Sequence, residues 1–205
     1  MVCIGVALSV LQQLVGLNAI SYYGPQILQR MGYHMDAAFL GALIARCMNL
    51  LATMSVVLVV DRVGRKPLLI AGALIMGASM LVIGSLFETG HPGTTGLVAV
   101  CCYLAGLGMS FGPIIWILMS EIFPAPIRPQ AMSIAIAAQW GANFLVSATF
   151  PLFPPGGLAF FVYGAFGLLA AWIVLRYVPE TKGLDLDSMG AFWRRQAGVS
   201  PATVS

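Results

Sequence analysis

Carboxamides and indoles, rather than acids, bases or nucleophiles, are the chemically able side chains set into the apolar parts of this sequence. Gln139, Asn143 and Ser147 stand at i, i+4 and i+8, so a helix puts them on one stripe with Trp140 beside them. Arg46, Asn49 and Thr53 make a second stripe. Gln12, Gln13, Asn18, Tyr22 and Tyr23 crowd a third stretch, over an arc too wide for one packed face unless that helix is central or locally unwound. A carboxamide donates and accepts hydrogen bonds without titrating, and an indole offers a broad apolar face with one donor. That is chemistry for holding a polar molecule, and equally for gluing one helix to another. It is not catalysis: no nucleophile with a base, no metal cluster and no phosphate loop occurs at usable spacing, so the sequence predicts no enzyme, no metal and no cofactor.

The elements that carry these groups must be membrane helices. Of 205 residues 60% are hydrophobic and 8% charged, with a mean hydropathy of +0.93. A soluble domain carries about 25% charge, so this chain has too little polar surface to face water. The fold class expected is an all-α integral membrane protein in a lipid bilayer. The formal net charge of +3 forms no basic stripe, which excludes a nucleic-acid partner. Cys3, Cys47, Cys101 and Cys102 fall inside apolar runs without metal or redox spacing and read as small packing residues. His34 and His91 lie in short polar connections, as solvated histidines do.

Six apolar segments follow one another at about 2–28, 37–60, 68–87, 96–119, 131–153 and 158–178, joined by short links that favour antiparallel neighbours. No positively charged leader precedes the first, which therefore reads as a spanning helix rather than a signal peptide. Arg62, Arg65, Lys66, Arg128, Arg176, Lys182, Arg194 and Arg195, eight of the ten basic residues, fall on one side of such a bundle. The positive-inside rule makes that side, and both termini, cytoplasmic, in the cell (inner) membrane. Residues 1–183 form the six-helix domain. Residues 184–205 form a cytoplasmic tail, with a short amphipathic piece around Met189, Phe192 and Trp193 suited to the membrane interface.

Two of the segments are expected to be broken. Gly112 and Pro113 cost a helix interior dearly, because proline removes a ladder hydrogen bond and clashes with the preceding turn. Glu121 lies eight residues beyond Pro113, about 12 Å along a helix, so with Glu121 at a membrane face the break sits near the midplane of a ~30 Å core. Irregular backbone at that depth is tolerated only against protein or a water-filled cavity. Gly24 and Pro25 mark a corresponding interruption in the first segment. Each break opens a group of three helices, and because three is odd the second group runs inverted. Broken helices at matching positions of inverted repeats point to a transporter's binding site. The third and sixth segments hold only small or apolar residues and read as lipid-facing supports.

Five motifs then occur in the order found in the sugar porter family of the major facilitator superfamily. They are QQLVGLNAISYY from Gln12, DRVGRK from Asp61, GPIIWILMSEIFPAPIR from Gly112, AAQWGANF from Ala137 and PETKG from Pro179. The chain resembles the carboxyl-terminal half of such a transporter, helices seven to twelve. The resemblance implies alternating-access transport of a monosaccharide, a pentose or hexose, by a complete protein that is either proton-coupled or passive. A non-transporting sugar-binding membrane protein or an inactive fragment is the other reading. Gln12, Gln13, Asn18, Asn49, Trp116, Gln139, Trp140 and Asn143 match the family's sugar-contacting positions. Their chemistry suits hydroxyl groups, which also donate and accept. Tyr22 and Tyr23, with Gly112 and Pro113, match gating positions. Asp61, Arg65, Lys66, Glu121 and Arg128, with Glu180, match the family's cytoplasmic charge network. The implied partners are the sugar and a second six-helix half, from a separate chain, a second copy or an upstream region.

Two features depart from the family pattern. Arg46 sits inside the second segment where the resemblance leads one to expect a small residue, and a buried arginine costs at least ~2.5 kcal/mol on insertion scales, so it needs a partner or a cavity. The chain also begins inside what would be helix seven, and none of its seven acidic residues lies deep in a span. In the family, proton coupling uses a carboxylate of the other half.

Overall fold

The computed structural model of the chain describes residues 2–90, 93–180 and 182. Its elements are the helices α1 (Val2–Leu14), α2 (Leu17–Arg30), α3 (Met35–Val63), α4 (Arg65–Thr89), α5 (Gly93–Met109), α6 (Ile114–Ile122), α7 (Arg128–Thr149) and α8 (Leu158–Tyr177), with a 3-10 turn at Phe150–Leu152. Two pairs, α1 with α2 and α5 with α6, are single spans interrupted near the middle. Among the described residues six membrane-length spans result, at Val2–Arg30, Met35–Val63, Arg65–Thr89, Gly93–Ile122, Arg128–Leu152 and Leu158–Tyr177. They coincide within a few residues with the apolar runs of the sequence. The tail at 184–205, including Arg194 and Arg195, and His91 lie outside the described residues.

The spans pack in a pattern that repeats. α3 lies along α5, α1 along α7, and α4 along α8. Exchanging the first three spans for the last three turns the α3–α5 pairing into the α1–α7 pairing and returns α4–α8 to itself. Such self-consistency is expected of two three-helix groups related by a twofold axis, the second inverted.

Close approach within the α4–α8 pair depends on missing side chains. A Cβ on Gly167 would lie 2.8 Å from the Gly77 Cα, and one on Gly164 would lie 2.8 Å from Leu81 Cδ2. Neither helix carries a capping side chain of its own, since their N-caps are Gly64 and Gly157. Instead Glu180, just past the end of α8, accepts the backbone amides of Arg65 (3.0 Å) and Lys66 (3.1 Å) at the start of α4. Glu88, near the end of α4, accepts the amide of Gly157 (2.8 Å) at the start of α8. Each helix thus carries the carboxylate that satisfies the exposed donors of the other, where the helix dipole also favours negative charge.

The third and sixth spans, which the sequence predicts as lipid-facing supports, also carry a packed face, against each other. Over half of the third span is buried (56%), against 17% of the second and 22% of the fifth. The reason is position: α4 is held between α8 and α5, whereas α3 and α7 stand at the edges of the bundle. They present Leu43, Leu50 and Leu58 on α3 and Phe144 and Leu145 on α7 to the surroundings. The core proper is built around Leu8, Met76, Met80, Tyr103, Phe111, Ile114, Ile115 and Phe123, all fully buried.

Candidate functional site

The first span breaks at Val15 and Gly16, not at Gly24 and Pro25, through which α2 runs as one helix. Gly16 has a φ of +86°, and a Cβ there would fall 2.8 Å from Met80 Cε and 3.1 Å from the Tyr163 ring, so only glycine fits. The interruption leaves carbonyls without helical amides. Tyr103 on α5 donates its hydroxyl to the Val15 carbonyl at 2.9 Å. The fourth span breaks at 110–113, as its Gly112-Pro113 pair predicts; the Gly112 amide reaches back to the Leu107 carbonyl at 2.8 Å. Gln12 on α1 donates Nε2 to the Phe111 carbonyl. Each break is therefore satisfied by a side chain from the other broken span.

Between the breaks lies a half-open hollow of about 280 Å³, just below the usual range for complete small-molecule sites. Four carboxamides form its depth: Gln12 and Gln13 are 2% exposed, Asn18 8% and Asn143 9%. Gln139 joins them, donating Nε2 to Gln12 Oε1 at 2.9 Å. Asn18 donates Nδ2 to both Gln13 Oε1 (2.6 Å) and Asn143 Oδ1 (2.7 Å). Ser147 Oγ adds a donor to Asn143 Oδ1 at 3.1 Å. The amides are thus wired to one another, which fixes their orientation, yet Gln139 Oε1 is buried and has no partner among the described residues. Trp116, Trp140 and Tyr22 stand at the rim, 38%, 64% and 56% exposed. Gly112 contributes backbone to the wall. The arrangement offers carboxamides and flat aromatic faces around a neutral, half-open cavity.

Not every candidate comes to the hollow. Asn49 stands apart: its Nδ2 donates to the Leu104 carbonyl at 2.8 Å, across a contact so close that a Cβ on Gly108 would meet Asn49 Nδ2 at 3.1 Å. In the described chain it fastens α3 to α5. Tyr23 packs its ring on Phe150 (centroids 4.9 Å apart) and donates to the Ser147 carbonyl at 3.3 Å, one layer beyond the hollow. Pro113 is the N-cap of α6. Tyr103, which holds the first break, is absent from the sequence reading because a lone tyrosine among small apolar residues signals only a helix core.

At the far end of the spans the charged motifs meet. Arg65 is bonded to Glu121 (2.8 Å) and Asp61 (3.0 Å); the Arg65 and Glu121 side chains are 13% and 24% exposed, that of Asp61 80%. Glu180 reaches Arg65 and Lys66 through their backbone amides, and Lys182 donates its ammonium to the Arg62 carbonyl. Arg128 Nε donates to the Phe123 carbonyl at 3.1 Å, and its Nη2 is buried without a partner among the described residues.

The family described as "Sugar (and other) transporter" matches residues 1–193. The chain belongs to that sugar transporter family. Among curated relatives, the D-xylose-proton symporter of Escherichia coli (strain K12) is 40% identical over 213 residues, covering 100% of this chain and 43% of the symporter. The glucose facilitated diffusion protein of Zymomonas mobilis is 43% identical over 201 residues, covering 94% of this chain and 42% of that protein. A solved structure of the proton:xylose symporter XylE bound to 6-bromo-6-deoxy-D-glucose superposes with a TM-score of 0.87 at 42% identity, over 94% of this chain and 42% of that one. The chain thus spans less than half the length of these relatives.

Proposed function

We propose that the chain is the carboxyl-terminal six-helix half of a monosaccharide transporter and carries most of its sugar-binding groups. The observation that bears most weight is the hollow between the two broken spans, where Gln12, Gln13, Asn18, Gln139 and Asn143 converge below Trp116 and Trp140. Sugar hydroxyls donate and accept, and these amides do the same; the indoles cover the apolar face of a pyranose. Five contacts at a net ~0.5 to 1.5 kcal/mol each correspond to a millimolar to micromolar site, tight enough to select and weak enough to release.

Transport then proceeds by rocking of this bundle against a second six-helix bundle, with the sugar held between them near the midplane. The exposed edges of α3 and α7 suit that companion, and the chain's 43% share of the xylose symporter's length leaves room for it. The Asp61–Arg65–Glu121 cluster sits at the cytoplasmic end and closes it when the hollow faces outward; Lys66 and Arg128 extend the positive charge there. Tyr22 stands at the outer mouth as a gate, with Tyr23 behind it. The start of α1 and the end of α8 then face the cytoplasm.

A passive facilitator is the second reading. The hollow is lined by neutral side chains, so coupling to protons would rest on a group outside it. Uptake of labelled xylose and glucose into proteoliposomes, with the chain alone and co-reconstituted with a matching amino-terminal half, with and without a proton gradient, tests both. Saturable uptake only with both halves is expected. Sugar-specific flux through the lone chain, or none through the pair, overturns the half-transporter reading.

A further inference from the structure

The charge that fits the family pattern least well has an assignable task. Proline has no amide hydrogen, so Pro25, inside α2, returns nothing to the carbonyl four residues earlier, that of Ser21. Arg46 Nη2, projecting from α3, donates to the Ser21 oxygen at 2.6 Å. That distance is short for a nitrogen donor and in keeping with a charged one. Among the described residues Arg46 forms no ion pair with a carboxylate; its acceptor is the carbonyl that a proline sets free. The guanidinium lies along a recess of about 220 Å³ between α2, α3 and α5, beside Gly24, Pro25 and Phe39. No other residue type reaches so far with a fixed charge and a planar set of donors.

The position of α2 gives this contact consequences. α2 is the half-span that follows the Gly16 break; it holds Asn18, which bonds two amides of the hollow, and Tyr22 at the rim. With a glycine at its start and a proline inside it, α2 needs a lateral fastening to keep one orientation. We propose that Arg46 is a positioning residue: by replacing the amide that Pro25 lacks, it ties α2 to α3 and holds Asn18 and Tyr22 at the mouth of the hollow. The proposal rests on the sugar-binding reading for its functional half and on the Arg46–Ser21–Pro25 geometry for its structural half.

A double-substitution cycle separates the two. Arg46→Met removes the donor, and Pro25→Ala gives Ser21 back a backbone partner of its own, so the two substitutions must interact if they act on one oxygen. The melting temperature of the full chain in detergent and the dissociation constant for xylose or glucose, read from tryptophan fluorescence, are measured for wild type, each single variant and the pair. The expected result is that Arg46→Met lowers the melting temperature by roughly 3 to 10 °C and weakens sugar binding several-fold with Pro25 present. In the Pro25→Ala background both effects shrink to less than half. Equal effects of Arg46→Met in the two backgrounds overturn the proposal, because Arg46 then acts elsewhere than on the proline-freed carbonyl. A melting-temperature cycle that couples while sugar affinity stays unchanged overturns the positioning role and keeps only the fastening. If wild type binds no sugar, the sugar-binding reading falls, while the melting cycle still decides the contact.

Discussion

Replacing Gln12 by leucine strikes the wiring of the hollow at its centre. Gln12 donates to the Phe111 carbonyl and accepts from Gln139 Nε2, and both Gln12 (2% exposed) and Phe111 (0%) are out of reach of replacement solvent. The substitution orphans two polar groups, each costing about 1 to 3 kcal/mol. Leucine returns roughly 1 to 2 kcal/mol of apolar burial. A net loss centred on about 2.5 kcal/mol follows, which for a chain of this length lowers the melting temperature by roughly 5 to 10 °C. Gln139→Leu is the control. It strands Gln12 Oε1, but it also removes Gln139 Oε1, an acceptor already buried without a partner, so the two terms offset to about 0 to 1 kcal/mol. Far-ultraviolet circular dichroism melts of the two variants in one detergent, paired with sugar titrations, are the assay. Both variants should weaken sugar binding, and only Gln12→Leu should melt markedly earlier. A Gln12→Leu chain that melts with wild type, or a Gln139→Leu chain that melts first, refutes the hydrogen-bond assignment on which the site is built.

Gly16→Ala places a Cβ at a φ of +86° against Met80 and the Tyr163 ring; a cost of about 1 to 2 kcal/mol from backbone strain alone, plus the clash, should show as lower yield of folded chain and an earlier melt. At the charged end, Glu121→Gln deprives Arg65, 13% exposed, of its closer partner and should destabilise by about 1 to 3 kcal/mol, whereas Asp61→Asn, 80% exposed, should stay within about 0.5 kcal/mol; equal melting shifts would contradict the burial difference. Glu180 accepts two amides at the start of α4 and Glu88 one at the start of α8, so Glu180→Gln should lower the melting temperature more than Glu88→Gln, each lost charge-dipole contact costing about 0.3 to 1 kcal/mol.

The spans were legible because each is a long apolar run bounded by charge or by Gly and Pro, and hydrocarbon thickness leaves little freedom in their length. The converging amides were legible for a related reason: a carboxamide inside a span is costly unless it faces a partner, so Gln12, Gln13, Asn18, Gln139 and Asn143 had few places to go. The first break was misread because Gly24-Pro25 is the stronger local signal. What moves the break to Gly16 is remote: Tyr103, Met80 and Tyr163 shape the gap around it, and Arg46 relieves the proline, all from other helices. Asn49 was placed in the site for its type and stripe, but a stripe does not say which neighbour lies opposite, and Gly108 brings α5 within its reach. The burial of α4 escaped notice because small residues face protein and lipid alike, and the choice is made by the glycines of the helix they meet.

The two interruptions share a fate. Tyr103 from the fourth span serves the first, and Gln12 from the first serves the fourth. A mutational route that smoothed either span into continuous helix would leave a hydroxyl or an amide in the other without its acceptor, a loss felt a full helix away. Neither gap can drift out of the lineage by itself, and a designer who wishes to straighten one must redraw both.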